Sequence, residues 1–470
     1  MERWKLNNSA GMRLSELISA LSHALDMTEG QPPGHCMRCC WIGMHLADQL
    51  ELDERARWEL YYTLLLKDLG CSSNAARICQ LYGTDDLGFK RDFKWVNGSL
   101  TQVVRFLLQH TGRDAGVAER FKRLLNIARN GESIATELIA TRCERGASIA
   151  RDLGFSEAVA AGIHSLDEHW SGSGKPEGLA ADAIPLYSRI ALLAQVVEVF
   201  HAAAGPEAAL EEARARSGHW FDPALVEALE QAAEMPEFWA LLASPALPER
   251  VLALSPAGHE IEVDDDYLDR VAAAFGQVVD AKSPYTAGHS ERVALYTDLI
   301  AEQLDIEPQR RRWLRRGALL HDIGKLGVSN SILDKPGKLD ADEWQQVQNH
   351  ARFTEEILSR IGVFSELAQV AGAHHERLDG KGYPKQLGAE QIALETRIIT
   401  TADIFDAITA ERPYRGPIPV PQALEMMAES LHTAIDADCF AALQGAIKAL
   451  DATAVNGGAG LNPAPESTLS

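Results

Sequence analysis

Apolar residues recur along most of this chain at three- and four-residue spacing, and alternation with period two is nearly absent. That pattern predicts helices joined by short loops rather than strands. From Leu14 to Leu25 the apolar positions share one helical face, and Gln31-Pro32-Pro33-Gly34 ends it. The same spacing predicts helices over 35–50, 54–69, 100–110, 115–128, 134–153, 156–165 and 186–203. Between two of them Gly154 terminates and Ser156 caps. A linker-like stretch, 252–263, precedes the acidic cap Asp264-Asp265-Asp266, from which a helix over 267–281 is expected. The last residues, 452–470, are rich in Gly, Ala, Pro and Ser and read as a disordered tail. The expected fold class is all-α.

The helical pattern repeats. Gly34-His35 matches Gly288-His289 and Ala47-Asp48-Gln49-Leu50 matches Ala301-Glu302-Gln303-Leu304, both at an offset of 254. That offset lays Lys67-Asp68-Leu69-Gly70 on His321-Asp322-Ile323-Gly324 without a gap. Further on, 167–176 lies on 375–384 and Ser188-Arg189-Ile190 on Thr396-Arg397-Ile398, now at 208. The difference, 254 less 208, is an insertion of 46 residues in the first copy, between 72 and 135. Two copies of one helical domain are therefore expected, 1–255 and 256–451.

With 470 residues the chain is long enough for two or three domains, each with its own core. Its seven cysteines are odd in number and irregularly spaced, as reduced thiols are. Cys36, Cys39 and Cys40 fit a buried helix face better than a zinc site. The start, Met1-Glu2-Arg3-Trp4-Lys5, lacks an apolar signal core, and no long uncharged apolar run follows, so a soluble cytoplasmic protein that spans no membrane is expected. A formal charge of −22 argues against a general binder of nucleic-acid polymers. An anionic substrate would need a locally positive site.

Candidate chemistry sits in the second copy. The run Ala318-Leu319-Leu320-His321-Asp322-Ile323-Gly324-Lys325 carries an imidazole, a carboxylate and an ammonium at its polar end. Helical neighbours lie about 100° apart, so His321 and Asp322 can reach one ion between them. Gly324 permits close backbone approach, and Lys325 offers a cation to a phosphate. The candidate metal ligands are His289, His321, Asp322, His350, His374, His375 and Asp403, and their counterparts in the first copy are His35, Lys67, Asp68, Arg142, Leu166, Asp167 and Gln195. Lys, Arg and Leu do not ligate, so the first copy is expected to have lost its site. The cations Lys67, Arg142 and Lys175 either fill the old metal cavity or form a pocket for an anionic effector. The retained set is all nitrogen and oxygen, suited to iron, manganese or zinc, and seven ligands suggest two ions bridged by a carboxylate. His110, His201, His219, His259 and His432 match no ligand position, and the neighbours of His164 and His169 break the pattern. Met426-Met427 reads as core filler.

His321-Asp322-Ile323-Gly324-Lys325, followed by His374-His375-Glu376 and Gly382-Tyr383-Pro384, resembles the HD-GYP family of cyclic di-GMP phosphodiesterases, a branch of the HD metal-dependent phosphohydrolases. The resemblance spans about 265–450. It implies two tandem HD-type helical bundles and hydrolysis of cyclic di-GMP to pGpG and onward to GMP. It also implies two divalent ions, iron or manganese, bridged by Asp322. His289, His321 and Asp403 would stand on one side, with His350, His374 and His375 on the other. Asp322 and Lys325 are the implied catalytic residues, and Lys325, Arg412, Arg415, Tyr383, Gly382 and Asp379 the implied substrate contacts. Tyr285 stands where members with a third ion carry an acidic residue, and Leu378 where an aromatic is frequent. Diguanylate cyclase (GGDEF) domains are an implied partner class, docking through the Gly382-Tyr383-Pro384 loop, and oligomers are compatible with the resemblance. A signalling scaffold without turnover, and an HD hydrolase acting on another nucleotide, remain alternatives.

Overall fold

The computed structural model describes residues 12–96, 99–112, 116–256, 261–411 and 416–457. Every extended regular element among them is helical, and β pairing is confined to four isolated bridges. Helices Leu14–Thr28, His35–Gln49, Glu54–Leu66, Leu100–His110, Glu157–His164 and Asp265–Asp280 fall where the apolar spacing puts them. Several of their starts follow from side-chain chemistry: Asp53, Ser156 and Asp264 each accept a backbone N–H from three residues on.

Five expectations change. The predicted pair 115–128 and 134–153 is one helix, Val117–Asp152, with Gly131 inside it. Ile127, Ile134 and Leu138 keep one buried stripe across that glycine, whose cost of about 1 kcal/mol against alanine the stripe outweighs. The segment expected to end near 203 is carried on to Ala215 across a break at Gly205 (φ 87°), where Pro206 starts a fresh helix. His321 and Asp322 do not share a helix: Pro308–Leu320 ends before them, Asp322 has φ −102° and ψ 8°, and a 3₁₀ turn follows over Ile323–Gly327. The linker-like stretch begins inside the helix Leu247–Ala253, and the last helix, Ala437–Gly457, takes in the first part of the expected tail. The remainder of that tail, 458–470, lies outside the described residues.

The repeat has matching local geometry. Gly34 and Gly288 both adopt positive φ (88° and 67°) and place His35 and His289 at the first position of a helix. A Cβ on Gly70 would sit 1.8 Å from the Arg142 carbonyl oxygen, and one on Gly324 2.0 Å from that of His350, so both turns need glycine. Bridges Ser171–Ala180 and Asp379–Gly388 close the same loop in each copy. The insertion contributes helices Ala75–Tyr82, Asp86–Phe93 and Leu100–His110 and the first part of Val117–Asp152, around a small core of its own that includes Tyr82, Phe89, Phe106 and Ile127.

One continuous apolar core otherwise runs through both halves, and Cys36, Cys39 and Cys40 are buried in it. Met427 is core as expected, whereas Met426 is 41% exposed. Helix Leu186–Ala215 is long and apolar enough to cross a membrane, but 61% of its apolar window is buried against the rest of the fold. The halves meet behind the His321-Asp322 turn. Helix Leu14–Thr28 packs against Ile323–Gly327, and Asp86 from the insertion is fully buried against the second half. Asp86 accepts from the Ser329 hydroxyl at 2.9 Å and the Asn330 N–H at 2.8 Å, and lies 3.5 Å from Lys282 Nζ.

Candidate metal centre

Five separate segments deliver the seven sequence-predicted ligands. His289 opens helix His289–Gln303, His321 and Asp322 follow Pro308–Leu320, and His350 lies in Ala341–Leu358. His374 and His375 stand just beyond Ser365–Gly372, and Asp403 is midway along Leu394–Thr409. Gly324 lets the turn bearing Asp322 lie against the backbone of His350. Thr354 clamps the same approach by donating to the His321 carbonyl (2.9 Å) and accepting from the Gly324 N–H (3.0 Å).

Asp322 is the hub. Its Oδ2 lies 3.2 Å from His321 Nε2 and 3.4 Å from His289 Nε2, while its Oδ1 lies 3.5 Å from His350 Nε2 and 3.6 Å from His374 Nε2. Asp403 Oδ1 joins the first pair, 3.5 Å from His289 Nε2 and 3.8 Å from His321 Nε2. His375 joins the second, with His350 and His374. The carboxylate thus turns one oxygen to each of two nitrogen clusters.

A hydrogen bond on the far side orients four of the five rings. Nδ1 donates to a carbonyl three residues back in His321 (Ala318, 2.7 Å), His350 (Val347, 2.5 Å) and His374 (Ala371, 2.6 Å), and to the Asp406 carboxylate in His289 (2.7 Å). Nε2 is left as the lone-pair nitrogen facing the centre in each of the three rings tied to carbonyls. His350 Nε2 and His374 Nε2 face each other at 3.3 Å, an arrangement that repels unless a cation lies between them. His321 Nε2 and Asp322 Oδ1 are buried without a hydrogen-bond partner. Converging lone pairs beside orphaned donor atoms fit a divalent metal better than a closed hydrogen-bond network.

Electrostatics divide the centre. Burial pushes His350 down to about 4 and His374 to about 3, and drives His375 well below the ordinary imidazole range, so these rings stay neutral. Burial acts the same way on His289, but hydrogen bonds to Asp322 and Asp406 outweigh it and hold that ring up to about 9. Burial opposes ionisation of Asp322, yet His321 and Lys325 keep it well below the usual carboxylate range. The carboxylate side attracts a cation, and the imidazole side offers neutral nitrogen.

Around the centre, Lys325 Nζ is 2.5 Å from Asp322 Oδ2. Tyr383 has its ring 4.8 Å from that of His375, and a Cβ on Gly382 would sit 2.4 Å from the Arg377 nitrogen, which brings the loop tight against the His pair. Asp379 is engaged in shaping that loop: its carboxylate accepts from Arg377 (2.7 and 3.0 Å) and from the Lys381 N–H (3.1 Å). Arg412 and Arg415 lie outside the described residues.

The sequence reading assigned no role to three further groups. Asp406 orients His289 and also accepts from Arg292 (2.6 and 3.0 Å), Thr400 donates to the His374 carbonyl (2.7 Å), and Glu376 ties the loop by accepting from the N–H groups of Lys385 (2.6 Å) and Leu387 (2.9 Å). The repeat held the signal: Glu198 binds His35 Nδ1 (2.5 Å) and Arg38 (2.5 Å) as Asp406 binds His289 and Arg292, and Glu168 ties the first copy's loop as Glu376 ties the second.

In the first half the corresponding volume holds a cation of the chain itself. Lys67 Nζ, fully buried, donates to Asp68, to His35 Nε2 (3.1 Å) and to Gln195 Oε1 (3.3 Å). Lys94 pairs with Glu29 (2.9 Å), and Arg142 with Asp167. Among the histidines set aside on sequence grounds, His110 meets Asp92 (3.1 Å), His169 stacks on Trp220, and His201 stacks on Trp239.

Comparison with known proteins places these features. The profile of the family described as HD domain matches residues 113–225 and 274–439. The chain is 60% identical over 437 residues to 3'3'-cGAMP-specific phosphodiesterase 3 of Vibrio cholerae serotype O1, covering 93% of this chain and 95% of that one. A cyclic di-GMP phosphodiesterase response regulator of Xanthomonas campestris pv. campestris is 36% identical over 203 residues, 42% of this chain and 51% of its own. The crystal structure of a cyclic GMP-AMP specific phosphodiesterase of V. cholerae is similar at a TM-score of 0.64 and 56% identity, over 93% of this chain and 98% of that one.

Proposed function

The chain belongs to the HD domain family, in its HD-GYP branch of phosphodiesterases, and from that premise we propose a metal-dependent enzyme that opens 3'3'-cyclic GMP-AMP to a linear dinucleotide. The sequence resemblance alone implies cyclic di-GMP as substrate. The relative matched over 95% of its own length is named for the mixed purine ring, which makes that ring the better first candidate. The two rings differ in one base, so the phosphodiester chemistry is common to both.

The observation that carries the reading is Asp322, whose two oxygens face two separate nitrogen clusters. We assign Asp322 as the bridging ligand of two divalent ions, iron or manganese. His289, His321 and Asp403 would hold one, and His350, His374 and His375 the other. Divalent ions held there would supply Lewis-acid chemistry, activating water near neutral pH and offsetting charge on the phosphoryl oxygens. The chain does the rest. The Nδ1 bonds keep Nε2 of each carbonyl-tied ring aimed inward, and Thr354 and Thr400 hold the backbone on which those rings ride. Lys325, already on the Asp322 carboxylate, is the donor for a non-bridging phosphoryl oxygen. Arg412 and Arg415 are proposed to fork onto phosphate and offset the negative charge of the chain locally. Residues 1–255 are proposed as a second HD-type unit in which Lys67 has replaced the metal.

Elemental analysis and product identification on protein purified without oxygen test this reading, with both cyclic dinucleotides as substrates. About two ions per chain and a linear dinucleotide are expected. Metal-loaded protein that turns over neither ring overturns the reading.

A further inference from the structure

Large aromatic side chains are usually buried, because leaving one in water forgoes the free energy of removing its apolar surface. Trp344, on the helix that carries His350, is nevertheless 48% exposed. Its ring lies 6.1 Å from that of Tyr383 at an interplanar angle of 80°, and Tyr383 in turn lies 4.8 Å from His375. A line of rings therefore leads from the metal-ligand cluster to an open indole at its rim.

The first half provides an internal comparison. At the offset that aligns Arg142 with His350 and Lys175 with Tyr383, Trp344 corresponds to Thr136, so the half that lacks the ligands also lacks both aromatics. Thr136 is simply bonded to its own helix, donating to the Glu132 carbonyl at 2.9 Å. If Trp344 served only to pack the helix, the structurally parallel helix of the first half would have similar need of it. Its pairing with Tyr383 beside the candidate metal-ligand histidines points instead to a ligand.

We propose that Trp344 is a substrate-binding residue on whose exposed indole face a purine base of the cyclic dinucleotide stacks, with Tyr383 as the inner wall of that subsite. The idea rests on the phosphodiesterase reading and adds to it how the base, rather than the phosphate, is held. Every nucleobase has a π face, so stacking contributes affinity with little choice among bases, and the metal centre is left to the phosphate. The energy is made with the bound ring as a whole and appears in KM more than in kcat.

The test uses the metal-loaded full chain and compares Trp344→Ala and Trp344→Phe on two substrates, 3'3'-cyclic GMP-AMP and bis(p-nitrophenyl) phosphate, a diester without a purine. Loss of one stacking surface is expected to raise KM for the cyclic dinucleotide roughly 5- to 100-fold in Trp344→Ala. Trp344→Phe should recover most of it. The penalty on kcat/KM should be at least about fivefold larger for the purine ring than for the aryl diester. A KM in Trp344→Ala within twofold of the parent, or equal losses on both diesters, overturns the stacking role. Wild-type protein that cleaves the aryl diester but no cyclic dinucleotide overturns the phosphodiesterase reading itself, and the stacking role with it.

Discussion

Lys67→Ala separates the two fates open to the first half. The Lys67 and Asp68 side chains are both fully buried, and the ammonium also serves His35 and Gln195. Asp68 is held far below the usual carboxylate range against a strong burial penalty, chiefly by Lys67 and then by Lys94. Removing the ammonium strands that carboxylate, and breaking a buried pair from one side costs about 3–5 kcal/mol. For a unit of about 250 residues each kcal/mol lowers Tm by about 2–4 °C, so a fall of about 6–20 °C is expected by calorimetry. Lys67→Met with Asp68→Asn should recover most of the loss, because a buried pair replaced by neutral groups of similar volume is often close to isoenergetic. Turnover per folded molecule should stay within about twofold, since Lys67 lies among first-half residues. A Lys67→Ala protein with Tm within 2 °C of the parent and an altered dependence of rate on nucleotide concentration would refute the reasoning. That result would make the cation part of an anion effector pocket.

Other consequences follow from the same geometry. Asp322→Ala should lose both bound metal and turnover, read by elemental analysis beside product formation, whereas Lys325→Ala should keep its metal and lose about 10²-fold in kcat, as removal of one transition-state donor does; a fully active Lys325→Ala excludes that residue from phosphate contact. Asp86→Ala leaves Lys282 buried without its carboxylate behind the catalytic turn and should lower Tm by more than Asp86→Asn, which keeps the shape; equal Tm values count against the buried pair. On the acid side, burial and Lys67 depress His35 to about 4, and Glu29 and Glu198 are held down to about 2 against burial by their cations and, for Glu198, by the His35 bond as well. All three folded values lie below the unfolded ones, so their stabilisation is complete at neutral pH and is lost as pH falls, for His35 from 6.5 to about 4 and for the glutamates from 4.5 to about 2. Asp26, raised by burial to about 6, works in the opposite direction. Tm should therefore decline as pH drops from 7 to 3, and a flat profile contradicts these assignments.

Helix positions were legible because the apolar stripes are long and their caps are explicit, as at Asp53, Ser156 and Asp264. Short helices such as Ala75–Tyr82 and Pro236–Leu242 span only about two turns and leave too little periodicity to detect. The residue types of the candidate ligands could be read from the sequence, but their geometry could not: a reading that kept His321 and Asp322 on one helix could not foresee that the helix ends at Leu320. That ending lets Asp322 turn one oxygen to each cluster. Asp406 was missed because a carboxylate that orients a histidine looks, in sequence, like any other acid on a helix. Only its alignment with Glu198, which performs the same task for His35, marks it out.

That shared orienting pair shows how the first half keeps the same local fold with Lys67 where the second half has His321. His35 and Glu198 persist with Arg38, so the first turn of helix His35–Gln49 stays fixed while the volume beyond His35 Nε2 needs only a positive charge. On the proposed reading two ions would supply that charge in the second half, as the Lys67 ammonium supplies it in the first. The first half cannot be dispensed with on that account. Helix Leu14–Thr28 lies under the Ile323–Gly327 turn, and a Cβ on Gly327 would come within 3.3 Å of Met27 Sδ. Asp86 grips the segment that follows at Ser329 and Asn330. The turn presenting Asp322 and Lys325 is therefore packed between the two halves, and its rigidity depends on contacts from both.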